Sequence, residues 1–130
     1  MIVVDASALL QTLLRSPAAE TVENRLFASG ETLHARHLIE VEVAHVIRRY
    51  AANGEIEGAR GRAALADLAD FPLHRYPHDF LLPPVWDLRS SLTAYDAVYV
   101  ALAEVLDAPL LTRDQRLAAA TGHHARVELV

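Results

Sequence analysis

Asp5, Glu42, Asp96 and Asp114 stand where apolar strands end or helices begin, in the segments IVVDAS, LIEVEV, LTAYDAVYVALAE and LLTRDQRLA. Carboxylates far apart in sequence but sharing such positions can meet at one edge of an α/β fold. In parallel sheets, ligands bind outside the carboxyl ends of the strands. Four negative charges drawn together repel one another unless a cation neutralises them. Hard divalent ions such as Mg²⁺ prefer oxygen ligands and keep several waters, and Mn²⁺ accepts the same donors. Such an ion can activate a water and stabilise charge on a phosphodiester. The pattern therefore points to a divalent metal site. Ser7 and Thr112, two residues from Asp5 and Asp114, are candidates to orient a carboxylate or a bound water.

Each acid also has a plainer reading. Asp5 at a strand-to-helix turn fits a helix cap, and the helix dipole there favours its ionised form. Thr93-Ala-Tyr-Asp96 matches a capping box, and Thr112-Arg-Asp-Gln115 matches a second with Asp114 in the first turn. Capping does not explain Glu42. It flanks the apolar stripe of Ile39, Val43, Val46 and Ile47, and Glu40 flanks the same stripe on its other side. Periodicity does not choose between them. On the Glu42 side lie His45 and Arg49. The seven histidines give no zinc-ligand spacing, neither His34 with His37 nor His123 with His124, and read as surface or boundary residues. Trp86, in LLPPVW, reads as core or as a partner surface.

The elements that position the acids follow from apolar periodicity and from turn residues. Residues 1–4 read as a buried parallel strand and Ala6 to Arg15 as a helix with Leu9, Leu10, Leu13 and Leu14 on one stripe. A second helix is predicted from Pro17 to about Ala28, and a strand over Thr32 to Ala35. Helices follow over His37 to Ala52, stopped by Asn53-Gly54, and over Gly58 to Asp70. Leu73 to Tyr76 reads as a strand, Pro84 to Arg89 as a short helix and Thr93 to Leu106 as a long one. Pro109 to Leu111, Arg113 to Ala120 and Arg126 to Val130 complete the order as strand, helix and strand. Strands alternating with helices predict a mostly parallel sheet with helices on both faces.

Bulk composition bounds the partners. The 130 residues fit a single domain, are 52% apolar and 22% charged, and contain no run long enough to span a membrane. MIVV is too short for the apolar region of a signal peptide, so a cytoplasmic protein is expected. The absence of Cys excludes disulfides and thiolate metal sites. A net charge of −5 excludes general polyanion binding by bulk electrostatics. All twelve basic residues are Arg. Lysine chemistry is thereby excluded, and any cationic phosphate contact falls to Arg or His. Arg49, Arg113 and Arg116 are the candidates nearest the acids.

The segments MIVVDASALL, EVEVAHVIRR, LTAYDAVYVALAE and LLTRDQRLA, in that order and spacing, resemble PIN-domain ribonucleases, specifically the VapC-type toxins of toxin–antitoxin pairs. AYDAVYVALAE followed by LLTRD is the most specific part. The resemblance implies one PIN domain over residues 1–130, a three-layer α/β/α sandwich, and an acidic site of Asp5, Glu42, Asp96 and Asp114. It selects Glu42 over Glu40. It further implies Mg²⁺- or Mn²⁺-dependent cleavage of tRNA or rRNA, a homodimer and inhibition by a VapB-type antitoxin. Two positions depart from the pattern. His45 stands where relatives often carry Asn, and Arg116 where some carry a further acid. These departures fit one Mg²⁺, or a second recruited only with RNA.

Two rival readings follow from the same residues. One is another phosphoryl-transfer α/β protein. A receiver domain would need a Lys, which is lacking, and a haloacid-dehalogenase-type phosphatase a second Asp where Ser7 stands. The other is a PIN-like binding module whose acids only cap helices.

Overall fold

The computed structural model describes residues 1–130. Five strands, β1 (Ile2–Val4), β2 (Leu33–Arg36), β3 (Leu73–Tyr76), β4 (Leu110–Thr112) and β5 (Val127–Leu129), form one sheet in the order β3-β2-β1-β4-β5. Every pairing is parallel, with Val3 opposite His34 on one side and Leu110 on the other. The sheet expected to be mostly parallel is entirely so. Seven helices flank it: α1 (Ala6–Leu13), α2 (Ala19–Leu26), α3 (Ile39–Ala52), α4 (Gly58–Asp70), α5 (Leu82–Asp87), α6 (Ala94–Leu106) and α7 (Gln115–Ala119).

Strand side chains alternate between faces, so each strand feeds two cores. Ile2, Val4, Leu33, Ala35 and Leu111 pack against Leu9, Leu13, Val22, Val43 and Leu68 of α1 to α4. Val3 and Leu110 point the other way, into Val98, Val100, Leu102 and Leu117 of α6 and α7. The result is the three-layer α/β/α sandwich. Gly61 lets α4 close onto α3, because a Cβ there would stand 2.9 Å from Ile47. No helix is long and apolar enough to cross a membrane.

Several element ends move by one or two residues, and three of these shifts matter for the site. The second strand runs Leu33–Arg36 rather than Thr32 to Ala35, so Arg36 closes it. The fourth runs Leu110–Thr112 rather than ending at Leu111, so Thr112 closes that strand. The last helix starts at Gln115 with Asp114 as its cap, not at Arg113 with Thr112 as its cap. Thr112 still belongs to β4, and its hydroxyl donates to Asp5 while accepting from the Asp114 amide, so the helix begins only after Asp114. Thr93 does cap α6, accepting from the Asp96 amide at 3.3 Å.

The histidine expectation fails at one position. His34 is buried, stacked on His74 of the neighbouring strand, and bonded through Nδ1 to the Tyr76 hydroxyl at 2.7 Å. Cross-strand pairing in register buries it, and that pairing is not a property of its own segment. Trp86 lies on the surface at 66% exposure, with Phe80 and Leu82 also exposed nearby in sequence.

Candidate functional site

The carboxyl ends of the three central strands place four site residues along one edge. β1 delivers Asp5, β2 delivers Arg36, and β4 delivers Thr112 and then Asp114. The first turns of α3 and α6 bring Glu42 and Asp96 to the same edge.

Asp5 is the deepest acid, 5% exposed. Its amide donates to the Leu111 carbonyl, which ties it to β4. Its Oδ1 accepts from the Ser7 hydroxyl at 2.7 Å and from the Ala8 amide at 3.0 Å, the second bond being its helix cap. Its Oδ2 accepts from the Thr112 hydroxyl at 2.5 Å. Thr112 Oγ1 then accepts from the Asp114 amide at 3.0 Å, and Ser7 Oγ from the Arg113 amide at 2.9 Å. The Ser7 and Thr112 hydroxyls thus join the loops that carry Asp5 and Asp114. Burial pushes the Asp5 carboxyl above the usual range. The hydrogen bonds from Ser7, Thr112 and Ala8 oppose that shift, and nearby Glu42 adds to it.

Asp96 is half-buried, and its carboxylate accepts no hydrogen bond and pairs with no cation. Burial raises its pKa, and Asp114 and Glu42 raise it further against Arg116 and Arg36. Asp114 uses Oδ1 for the amides of Arg116 (2.8 Å) and Leu117 (3.4 Å), which leaves Oδ2 open.

Glu42 is held differently. Its Oε1 accepts from Arg36 Nε at 3.0 Å and from the Tyr99 hydroxyl at 2.6 Å. Its Oε2 lies 2.8 Å from Arg36 Nη2. The Nη2 contact is ionic in distance but not aligned as a hydrogen bond. Arg36 is 1% exposed, lies over the Tyr99 ring at 4.3 Å, and donates through Nη1 to the Tyr95 carbonyl at 2.6 Å. Burial works against its charge, and the Glu42 and Tyr99 contacts outweigh that cost. Sequence reasoning missed Arg36 and Tyr99. The available signal was alternation along the second strand: Leu33 and Ala35 face one core, which puts His34 and Arg36 on the other face.

The three candidate phosphate contacts separate. Arg49 and Arg113 line one depression of about 330 Å³ together with Ser7, Gln11, Glu42 and Tyr50. Arg113 also donates to the Val130 carbonyl at 2.7 Å. Arg116 is 92% exposed and stands 3.8 Å from Asp114.

The donor set suits a hard cation: oxygen atoms only, with lone pairs free on Asp96 and Asp114 and burial raising the Asp5 and Asp96 pKa values. No three of the acidic or histidine side chains form a ready ion cage. An open ring of this kind matches an ion that keeps several of its own waters and takes only one or two carboxylates directly.

A parallel α/β sandwich with an acidic carboxyl edge is thus the class of protein that fold and site define. The PIN domain family model matches residues 2–122. Ribonuclease VapC1 of Mycobacterium tuberculosis is 43% identical over 129 residues, covering 98% of this chain and 96% of its own. Ribonuclease VapC12 of the same organism is 41% identical, covering 100% and 99%. In the crystal structure of VapBC2 from Rickettsia felis bound to a promoter DNA fragment, one chain superposes with a TM-score of 0.73 at 12% identity, covering 100% and 99%, a likeness of fold. The chain belongs to the PIN-domain family, among the VapC ribonucleases.

Proposed function

We propose that the whole chain, residues 1–130, acts as one PIN domain and as a Mg²⁺-dependent endoribonuclease, the toxin of a type II toxin–antitoxin pair. The observation that carries this reading is Asp96, a half-buried carboxylate with no partner, at the same edge as the buried Asp5. Asp5, Glu42, Asp96 and Asp114 hold the ion directly or through waters, and Mn²⁺ fits the same oxygen donors. When bound, the ion supplies Lewis-acid stabilisation of the phosphodiester and lowers the pKa of the attacking water.

The chain's own residues supply the rest. Ser7, Ala8 and Thr112 fix the Asp5 carboxylate and leave about one lone pair, on Oδ2, unused. Asp96, half-buried and accepting no hydrogen bond of its own, has a free carboxylate oxygen able to take a proton from the attacking water. The new P–O bond then forms as the bond to the leaving sugar oxygen breaks; that oxygen takes a proton from solvent water, and Asp96 returns its proton to solvent. Arg49 and Arg113 flank the depression beside Ser7 and Glu42 and offer guanidinium groups to backbone phosphates. Arg116 is placed to do the same beside Asp114.

Family membership supports the partner readings: tRNA or rRNA as substrate, a VapB-type antitoxin as inhibitor, a homodimer and a cytoplasmic setting. One observation favours a binding module instead, since Asp5 and Asp114 both cap helices.

Incubating total RNA with purified protein, with and without Mg²⁺, beside the Asp5→Asn variant and with the cut ends mapped, separates the two. The nuclease reading expects cuts that need both Mg²⁺ and Asp5. RNA left intact, or cut equally by the variant, rejects it.

A further inference from the structure

One cation is already built into the acidic edge. Arg36 ends β2 at 1% exposure, and a buried Arg is stable only when paired and bonded. It contacts both oxygens of Glu42 and reaches the Tyr95 carbonyl, one residue before Asp96. It therefore bridges the two helix starts that carry Glu42 and Asp96.

Lone pairs show what this does to Glu42. Each carboxylate oxygen accepts about two hydrogen bonds. Glu42 Oε1 is filled by Arg36 Nε and the Tyr99 hydroxyl, and Oε2 faces Arg36 Nη2. Asp96, by contrast, accepts nothing, and Asp114 has one oxygen free. Guanidinium does not release its proton in proteins, so the pairing persists at every working pH.

We propose that Arg36 is an internal counter-cation that keeps Glu42 off the metal. A divalent ion is then taken by Asp96, Asp114 and Asp5, while Glu42 contributes at most through water. Arg36 is a positioning residue, not a catalytic one. It relieves the repulsion among four carboxylates when no ion is bound, and it weakens ion binding by standing beside it. The inference rests on the reading of this edge as a divalent metal site.

Calorimetric titration with Mn²⁺ and Mg²⁺ tests it in four proteins: wild type, Asp96→Asn, Arg36→Met and the double variant Arg36→Met with Glu42→Gln. The double variant removes a charge pair together, so no buried charge is left unpaired and the net charge of the edge is unchanged. Arg36→Met is expected to bind the ion about tenfold more tightly, the scale for removing one unit of like charge from a partly solvated site. Damage to folding would not give that gain. The double variant is expected to stay within about threefold of wild type, whereas Asp96→Asn loses binding by about tenfold or more. Weaker binding by a folded Arg36→Met, or a double variant as impaired as Asp96→Asn, overturns the inference. If Arg36→Met does not fold, the double variant decides alone. Absence of saturable binding by wild type and by both Arg36 variants rejects the metal site itself, a result distinct from either of those.

Discussion

Asp5 accepts three hydrogen bonds and Glu42 two with one further ionic contact, and the donors differ in kind. Asp5 is bound by two hydroxyls and one amide, all neutral, so its negative charge remains at the acidic edge. Glu42 is bound by a phenol and a buried guanidinium, so its charge is largely cancelled. Neutral donors fix a carboxylate and leave it able to attract a cation. A charged donor fixes it and removes that attraction. On the proposed reading, one side of the site would attract an ion and the other would be stable without one.

Removing the charge on the first side should have the largest effect. Asp5→Asn and Asp96→Asn are expected to lower metal-dependent RNA cleavage by at least about 100-fold, read as initial rates on a defined RNA. A thermal melt of metal-free Asp96→Asn at neutral pH should show no loss of stability, because that carboxylate accepts no hydrogen bond and burial disfavours its charge. Asp5→Asn gives up one accepting oxygen and should lose no more than Thr112→Val does. A large drop in melting temperature would mean that these acids serve the fold first.

Thr112→Val probes the neutral clamp without touching charge. It leaves Asp5 Oδ2 and the Asp114 amide without their partner. The expected costs are about 1–3 kcal/mol of stability, by chemical denaturation, and a fall in cleavage smaller than that of Asp5→Asn. Equal losses of activity in the two variants would make the hydroxyl part of the chemistry, beyond holding Asp5.

pH acts on the Asp5 side with a sign opposite to that of an ion-paired surface acid. Asp5 and Asp96 have folded-state pKa values above the usual range. Groups shifted that way favour the folded state at low pH, and that contribution is lost as pH rises through the raised values. The metal-free protein should therefore gain stability from these two acids as pH falls through their raised values toward the ordinary carboxylate range. Glu31 acts oppositely: the N-terminal ammonium and Arg25 hold it low, and its contribution fades only in stronger acid. The rise in melting temperature given by Mg²⁺ should shrink over the same descent, because protons compete for Asp5 and Asp96. A Mg²⁺ effect that is flat with pH would place the ion elsewhere.

The smallest effects are expected at the arginines of the depression. Arg49→Ala and Arg113→Ala should each weaken RNA binding a few-fold and reduce its salt dependence, as loss of one phosphate contact does. Fluorescence anisotropy with a catalytically dead variant reads both quantities.

The acids were legible in the sequence because apolar runs such as IVV and LLT mark strand ends, and an Asp just beyond them needs no knowledge of pairing. The choice of Glu42 over Glu40 was not legible from periodicity, since both flank the same stripe. The structure explains the difference, because Glu40 pairs with Arg75 at the surface while Glu42 reaches Arg36. Arg36 itself was hidden twice: strand two was drawn one residue short, and a fully buried Arg runs against its type. The second capping box misled because Thr112 and Asp114 both suit a helix start. Thr112 is held in β4 and bonded to Asp5, more than a hundred positions away, and Asp114 is the residue that caps the helix.

The central claim is that the Asp5 side of this edge takes a divalent ion. Titration of the purified chain with Mn²⁺, followed by electron paramagnetic resonance, tests it most directly. The account predicts saturable binding at neutral pH that is lost in Asp5→Asn and in Asp96→Asn and kept in Arg116→Ala. Binding that survives both Asn substitutions, or no saturable binding by the wild-type chain, would contradict it.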